Sequence, residues 1–170
     1  MKESVVLVSD EASFRQLLEE RTAEASKLLA ISTNMQSLLE KSRIEAVYPL
    51  LDVVARCFEE LRLIDEKLSE LSHKSDSRNL GRIKRILAMN EPDNLTPGEQ
   101  EMVAAMRTFS DIMRKITEKN TIIKEIFLKE QQAALSEIAS IRAQKAKLLH
   151  SKKFLDPMDL GEPGRWEVES

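Results

Sequence analysis

VYPLLDVVARCFEELRLIDEKLSEL, residues 47–71, is the stretch that decides the fold. Val47, Leu50, Val54, Cys57, Leu61, Ile64, Leu68 and Leu71 step by three and four without a break. Side chains at those spacings share one face of an α-helix, so the stretch reads as an amphipathic helix with a left-handed coiled-coil seam. Leu51 and Phe58 read as broadening the same stripe. Pro49 lacks an N–H and fits only a first turn, which places this helix over 46–72. A narrow seam of this kind is not stable alone in water and calls for partner helices.

Glycine and proline punctuate the rest of the chain. Neither occurs before Pro49, between Pro49 and Gly81, or between Gly98 and Pro157, and those gaps are the helices. Ser9 or Asp10 is suited to cap a first helix over 10–42, leaving 1–9 as a flexible N-terminus. Its seam is Phe14, Leu18, Ala25, Leu28, Met35 and Leu39, interrupted by Arg21 and Ser32 and widened by Leu17, Leu29 and Leu38. Ser72–Ser77 reads as a loop or frayed end. Residues 79–90 form either a short helix, with Leu80, Ile83, Ile86 and Leu87 on its apolar face, or a mobile linker ended by Glu91-Pro92-Asp93-Asn94. Thr96-Pro97-Gly98-Glu99 is a strong start signal, with a capping threonine, a first-turn proline and a reciprocal glutamate in order. The helix it opens, over 97–152, carries Met102, Met106, Phe109, Met113, Ile116, Asn120, Ile123, Phe127, Ala134, Ile141 and Leu148 on its seam. At 1.5 Å per residue its length is on the order of 80 Å. Residues 153–170, with Pro157, Gly161, Pro163 and Gly164, have no period and are expected to be a disordered tail. The expected fold is all-α: an elongated antiparallel bundle of three helices, four if 79–90 is one, with coiled-coil-like packing and a very long last helix.

Composition narrows the function classes. Charged residues make up 32% of the chain but nearly cancel, and the net charge of -3 gives no basic face for nucleic acid. No apolar run approaches the roughly 20 residues needed to span a bilayer. Val5–Val8 is shorter than the apolar core of a secretory signal, and a cytoplasmic location is expected. The single cysteine excludes an internal disulfide. His73, His150 and Cys57 stand apart from one another, so no catalytic site, metal or cofactor is expected. Cys57 lies in a seam and reads as core. The basic cluster Arg78, Arg82, Lys84 and Arg85 lacks interleaved aromatics and reads as a solvated helix face. Asn120 reads as a register-fixing seam asparagine, or else as a seam-edge residue that helps a partner dock.

The working surface is expected on the far half of the last helix. Ile122, Ile126, Phe127, Leu135, Ile138, Ile141, Leu148 and Leu149 make more apolar surface than one seam needs, and this helix outruns the other two. Such a stripe suits a partner's amphipathic helix. Leu155, Leu160 and Trp166 of the tail are candidates to fold over that partner or to mimic it.

Ile44-Glu45-Ala46-Val47-Tyr48-Pro49-Leu50-Leu51 resembles the first-to-second helix junction of the FlgN-type flagellar export chaperones. So does the run Phe58-Glu59-Glu60-Leu61-Arg62-Leu63-Ile64-Asp65 that follows it. Glu118-Lys119-Asn120-Thr121-Ile122-Ile123, continuing into Ile126-Phe127, is similar to the asparagine and paired aliphatics of that family's last helix. The resemblance spans roughly residues 10–150; Gly81–Pro92 and the tail with Trp166 depart from it. It implies a cytoplasmic chaperone of flagellar type III export that binds the C-terminal helical segments of hook–filament junction proteins. Such a chaperone delivers them to export-gate and ATPase components and uses its last helix and C-terminal segment for the substrate. Two other classes stay open: a coiled-coil scaffold that self-associates into a homo-oligomer, and a regulatory adaptor, including the filament-cap type of flagellar chaperone.

Overall fold

The computed structural model describes residues 2–74 and 78–155, with side chains over 11–73 and 80–152. Four α-helices and one short 3-10 turn account for the regular structure, and no strand occurs among the described residues. They are α1 (Lys2–Glu40), the 3-10 turn Ile44–Ala46, α2 (Tyr48–Lys74), α3 (Arg78–Leu87) and α4 (Pro97–Leu155). The chain divides into two units, residues 1–126 and 127–170.

The first unit is an all-α bundle. Near one end Phe14 and Leu18 of α1 meet Ile64 and Leu68 of α2, the α3 face Leu80, Ile83 and Ile86, and Met102, Val103 and Met106 of α4. A second layer joins Ala25 and Leu28 to Cys57, Leu61 and Ile116. Rising numbers in α1 and α4 pair with falling numbers in α2, so α2 runs antiparallel to both. All six seam residues of α1 are buried, as is Ser32. Arg21 is accommodated in the seam: its Nε lies 2.8 Å from Asp65 Oδ1 and its guanidinium 3.9 Å above the Phe109 ring. A planar cation lying against a ring can stay inside a seam where an ammonium would not.

The helix ends show how the bundle closes with so few glycines. Beyond α1, Ser42 takes a left-handed conformation at φ 55°. Its N–H donates to the Leu39 carbonyl at 2.9 Å and that of Arg43 to Leu38 at 2.8 Å. This is a Schellman closure with serine where glycine is usual. The same pattern ends α3, where Met89, at φ 59°, donates to Ile86 and Asn90 donates to Arg85. α4 opens on the reciprocal cap: Glu99 N–H donates to Thr96 Oγ1 at 3.2 Å and Thr96 N–H to Glu99 Oε2 at 2.8 Å.

Several sequence expectations are corrected. α1 extends back to Lys2, ahead of the expected cap at Ser9 or Asp10, because nothing in that stretch interrupts a helical backbone. Leu51 and Phe58 do not widen the buried stripe of α2; both are exposed. Asn120 fixes no register, since it is exposed while the seam passes from Ile116 through half-buried Lys119 to Ile123. Lys119 donates from Nζ to Gln36 Oε1 of α1 at 3.2 Å. The short segment is helical over Arg78–Leu87.

Candidate partner-binding surface on the last helix

Of the eight stripe residues expected to receive a partner, Ile122 and Ile126 belong to the first unit, where Ile122 is exposed and Ile126 half-buried. Phe127, half-buried, opens the second unit. Leu135, Ile138, Ile141, Leu148 and Leu149 are all exposed, Leu135 at 59% and Leu148 at 66%. Every described side chain from Leu128 to Lys152 is exposed. The helical period nonetheless sets these aliphatics on one side: Ile138, Ile141, Leu148 and Leu149 fall within about a third of the circumference at 100° per residue. Basic residues share that side, because Ile138, Arg142, Lys145, Leu149 and Lys152 step by four and three along one row. Of the tail candidates, Leu155 closes α4, while Leu160 and Trp166 lie outside the described residues.

One exposed apolar row was not foreseen. Tyr48, Leu51 and Phe58 recur at helical spacing on α2, each exposed, with Phe58 at 44%. Phe58 lines a shallow groove of about 460 Å³ with Leu61, Arg62, Ser69, Phe109 and Met113, inside the first unit. The signal lay in the doublets Leu50-Leu51 and Cys57-Phe58. Seven residues apart, they draw a second row parallel to the seam and about 100° from it.

The titratable groups serve the fold. Cys57 is buried, and desolvation, then the Glu24 carboxyl beside it, pushes its thiol up. A protonated, enclosed thiol is a poor nucleophile. Glu24 is itself held low, chiefly by its hydrogen bond from Lys27. His73 is exposed with Nδ1 2.7 Å from the Ser69 carbonyl. Among the described residues no group of three His, Cys, Asp or Glu side chains is placed to hold a metal ion. No described helix is long and apolar enough to cross a membrane. Within the basic cluster, Arg82 is committed to the fold. It bonds both carboxylate oxygens of buried Glu99, at 2.7 and 2.9 Å, and donates to the Asp93 and Asn94 carbonyls. That guanidinium, aided by the Thr96 N–H, holds the Glu99 carboxyl down at about 2.

Comparison of the chain with protein-family models, with curated proteins and with solved structures finds no match.

Proposed function

We propose that this is a helix-binding chaperone of the FlgN type, which takes the amphipathic C-terminal helix of a hook–filament junction protein on the second-unit part of α4. It holds that helix from premature assembly and hands it to the export gate and its ATPase in the cytoplasm. The observation that carries the reading is the uninterrupted exposure from Leu128 to Lys152 of a helix face bearing Leu135, Ile138, Ile141, Leu148 and Leu149. Contiguous exposed aliphatics on one helical face mark an interaction surface, and an amphipathic helix matches them in period. The junction sequence Ile44–Leu51 and the run Glu118–Phe127 supply the family likeness.

The test is capture of a junction-protein C-terminal peptide by the full chain, followed by calorimetry. Leu135→Asp combined with Ile138→Asp should abolish capture and leave helix content and melting unchanged, since a few anchors dominate such interfaces. Capture that survives the pair rejects the site. A chain that associates only with itself as concentration rises, through the same residues, rejects the chaperone in favour of a scaffold.

A further inference from the structure

We infer that the helix received by the second-unit part of α4 is an acidic one, which sets carboxylates against Arg142 and Lys145 inside an apolar contact. The inference rests on the helix-binding surface proposed above and names the chemistry of its partner.

The position of one cation within the face carries it. In steps of four and three, Ala134, Ile138, Ile141, Lys145, Leu148 and Lys152 form a single heptad seam. At 100° per residue, Ile138, Ile141, Leu148 and Leu149 all lie within about 60° of Lys145. The ammonium therefore stands at the centre of the aliphatic face and not on its flank. All five side chains are exposed. No neighbouring turn neutralises the charge. From Ile138 to Lys152 the helix carries Arg142, Lys145, Lys147 and Lys152 and no acidic residue. Hence no carboxylate stands three or four residues from Arg142, Lys145 or Lys147, the spacings at which helical side chains pair. Whatever covers the aliphatics also covers Lys145, and an ammonium taken from water without a partner carries a large penalty. A covering helix with glutamate or aspartate at the facing positions turns that penalty into an attraction and fixes its own register.

Other occupants fit less well. A bilayer surface takes helices with an unbroken apolar face and cations on the polar side, whereas Lys145 would be pressed towards the acyl layer. A second copy laid on the same stretch, in either direction, brings no carboxylate, because the stretch has none. In a parallel pair it also sets Lys145 against Lys145, a like-charge contact that disfavours the match.

The probes are three synthetic peptides of three heptads. One has an isoleucine and leucine seam flanked by glutamate, the second has lysine in place of each glutamate, and the third is a scrambled form of the first. The full chain should bind the acidic peptide on the order of tenfold more tightly than the lysine peptide. The preference should shrink as salt rises. Arg142→Glu with Lys145→Glu should invert the order without change in helix content. Equal binding of the two peptides overturns the inference, as does a preference that ignores the charge reversal or a scrambled peptide that binds as well as the periodic one. So does docking of the stretch on phosphatidylglycerol vesicles, or on a second copy, in place of the acidic peptide. The two readings fail separately. A junction-protein peptide captured equally by the unmodified and the charge-reversed chain rejects the acidic partner and leaves the chaperone standing. Inverted order of the probes without capture of the junction peptide rejects that client and keeps the acidic helix.

Discussion

Two stretches of one helix carry the same period and meet opposite fates. From Met102 to Ile123, α4 buries Met102, Met106, Ile116 and Ile123 against its neighbours in the first unit. From Ala134 to Leu148 the seam positions Ala134, Ile141 and Leu148 are all exposed. The first stretch is part of a core; the second has a core's pattern, but its described side chains are exposed. Hydrophobic period therefore records a capacity to bury, and the neighbours decide whether it is used in the folded chain or kept for another molecule.

The largest expected effect breaks or secures this contrast directly. Ile116→Asp places a carboxylate at a position that is 1% exposed, and should cost about 4 kcal/mol or abolish folding. Ile141→Asp, the same chemistry in the exposed stretch, should change stability by no more than about 0.5 kcal/mol. Urea denaturation of the two variants decides it; equal losses would mean that the second stretch is core after all.

Next in size is the polar joint that opens α4. Removing Glu99 in Glu99→Ala takes away one arm of the cap and leaves Arg82 without its carboxylate, a loss of about 2 kcal/mol. The pH dependence has a fixed sign. The Glu99 carboxyl sits at about 2 in the folded chain against 4.5 for an ordinary glutamate, so it stabilises fully above about 4.5, and that contribution disappears as pH falls towards 2. The unmodified chain should lose stability more steeply over that window than Glu99→Gln, as read by denaturation at stepped pH. Equal slopes would show that the joint is not coupled to folding. The variant should leave partner capture by the second stretch untouched.

How much of this was legible depends on what kind of signal each part sends. The α1 seam from Phe14 to Leu39 was readable because every step is three, four or seven and every residue is apolar. The opening of α4 was readable because threonine, proline and glutamate each have one strong reason to sit where they do. The apolar face of α3 was also readable in Leu80, Ile83 and Ile86, although its short length left a linker as an alternative. Asn120 was misplaced because steps of four-then-three and three-then-four between Ile116 and Ile123 are equally periodic, and what separates them is the partial burial of Lys119 and its bond to Gln36. Leu51 and Phe58 were misread because two adjacent apolar residues leave open which one faces the core. On α4 the stripe from Leu135 to Leu149 was legible as apolar from its period and as lacking an internal partner from the length of its helix, and its side chains are exposed.

Two smaller effects sharpen the account of the first unit. Gly81 lies in the interior of α3, and a Cβ built there meets nothing within 4 Å. Gly81→Ala should therefore stabilise by roughly 0.5–1 kcal/mol, seen as a raised denaturation midpoint with unchanged slope. A destabilised variant would mean that α3 docks through this face. Smallest is Met89→Gly. It relieves a left-handed residue that is 51% exposed and loses little packing, so a gain of about 0.5 kcal/mol remains after the backbone entropy of glycine is counted. No gain would show that Met89 contributes packing at the end of α3.

The enclosed Cys57 has a consequence in time. It is the chain's one thiol, and it sits in the second layer of the core with Ala25, Leu28, Leu61 and Ile116. A thiol reagent must wait for that layer to part, so its modification rate counts openings of the first unit. A partner helix that binds only the second unit should leave that rate unchanged.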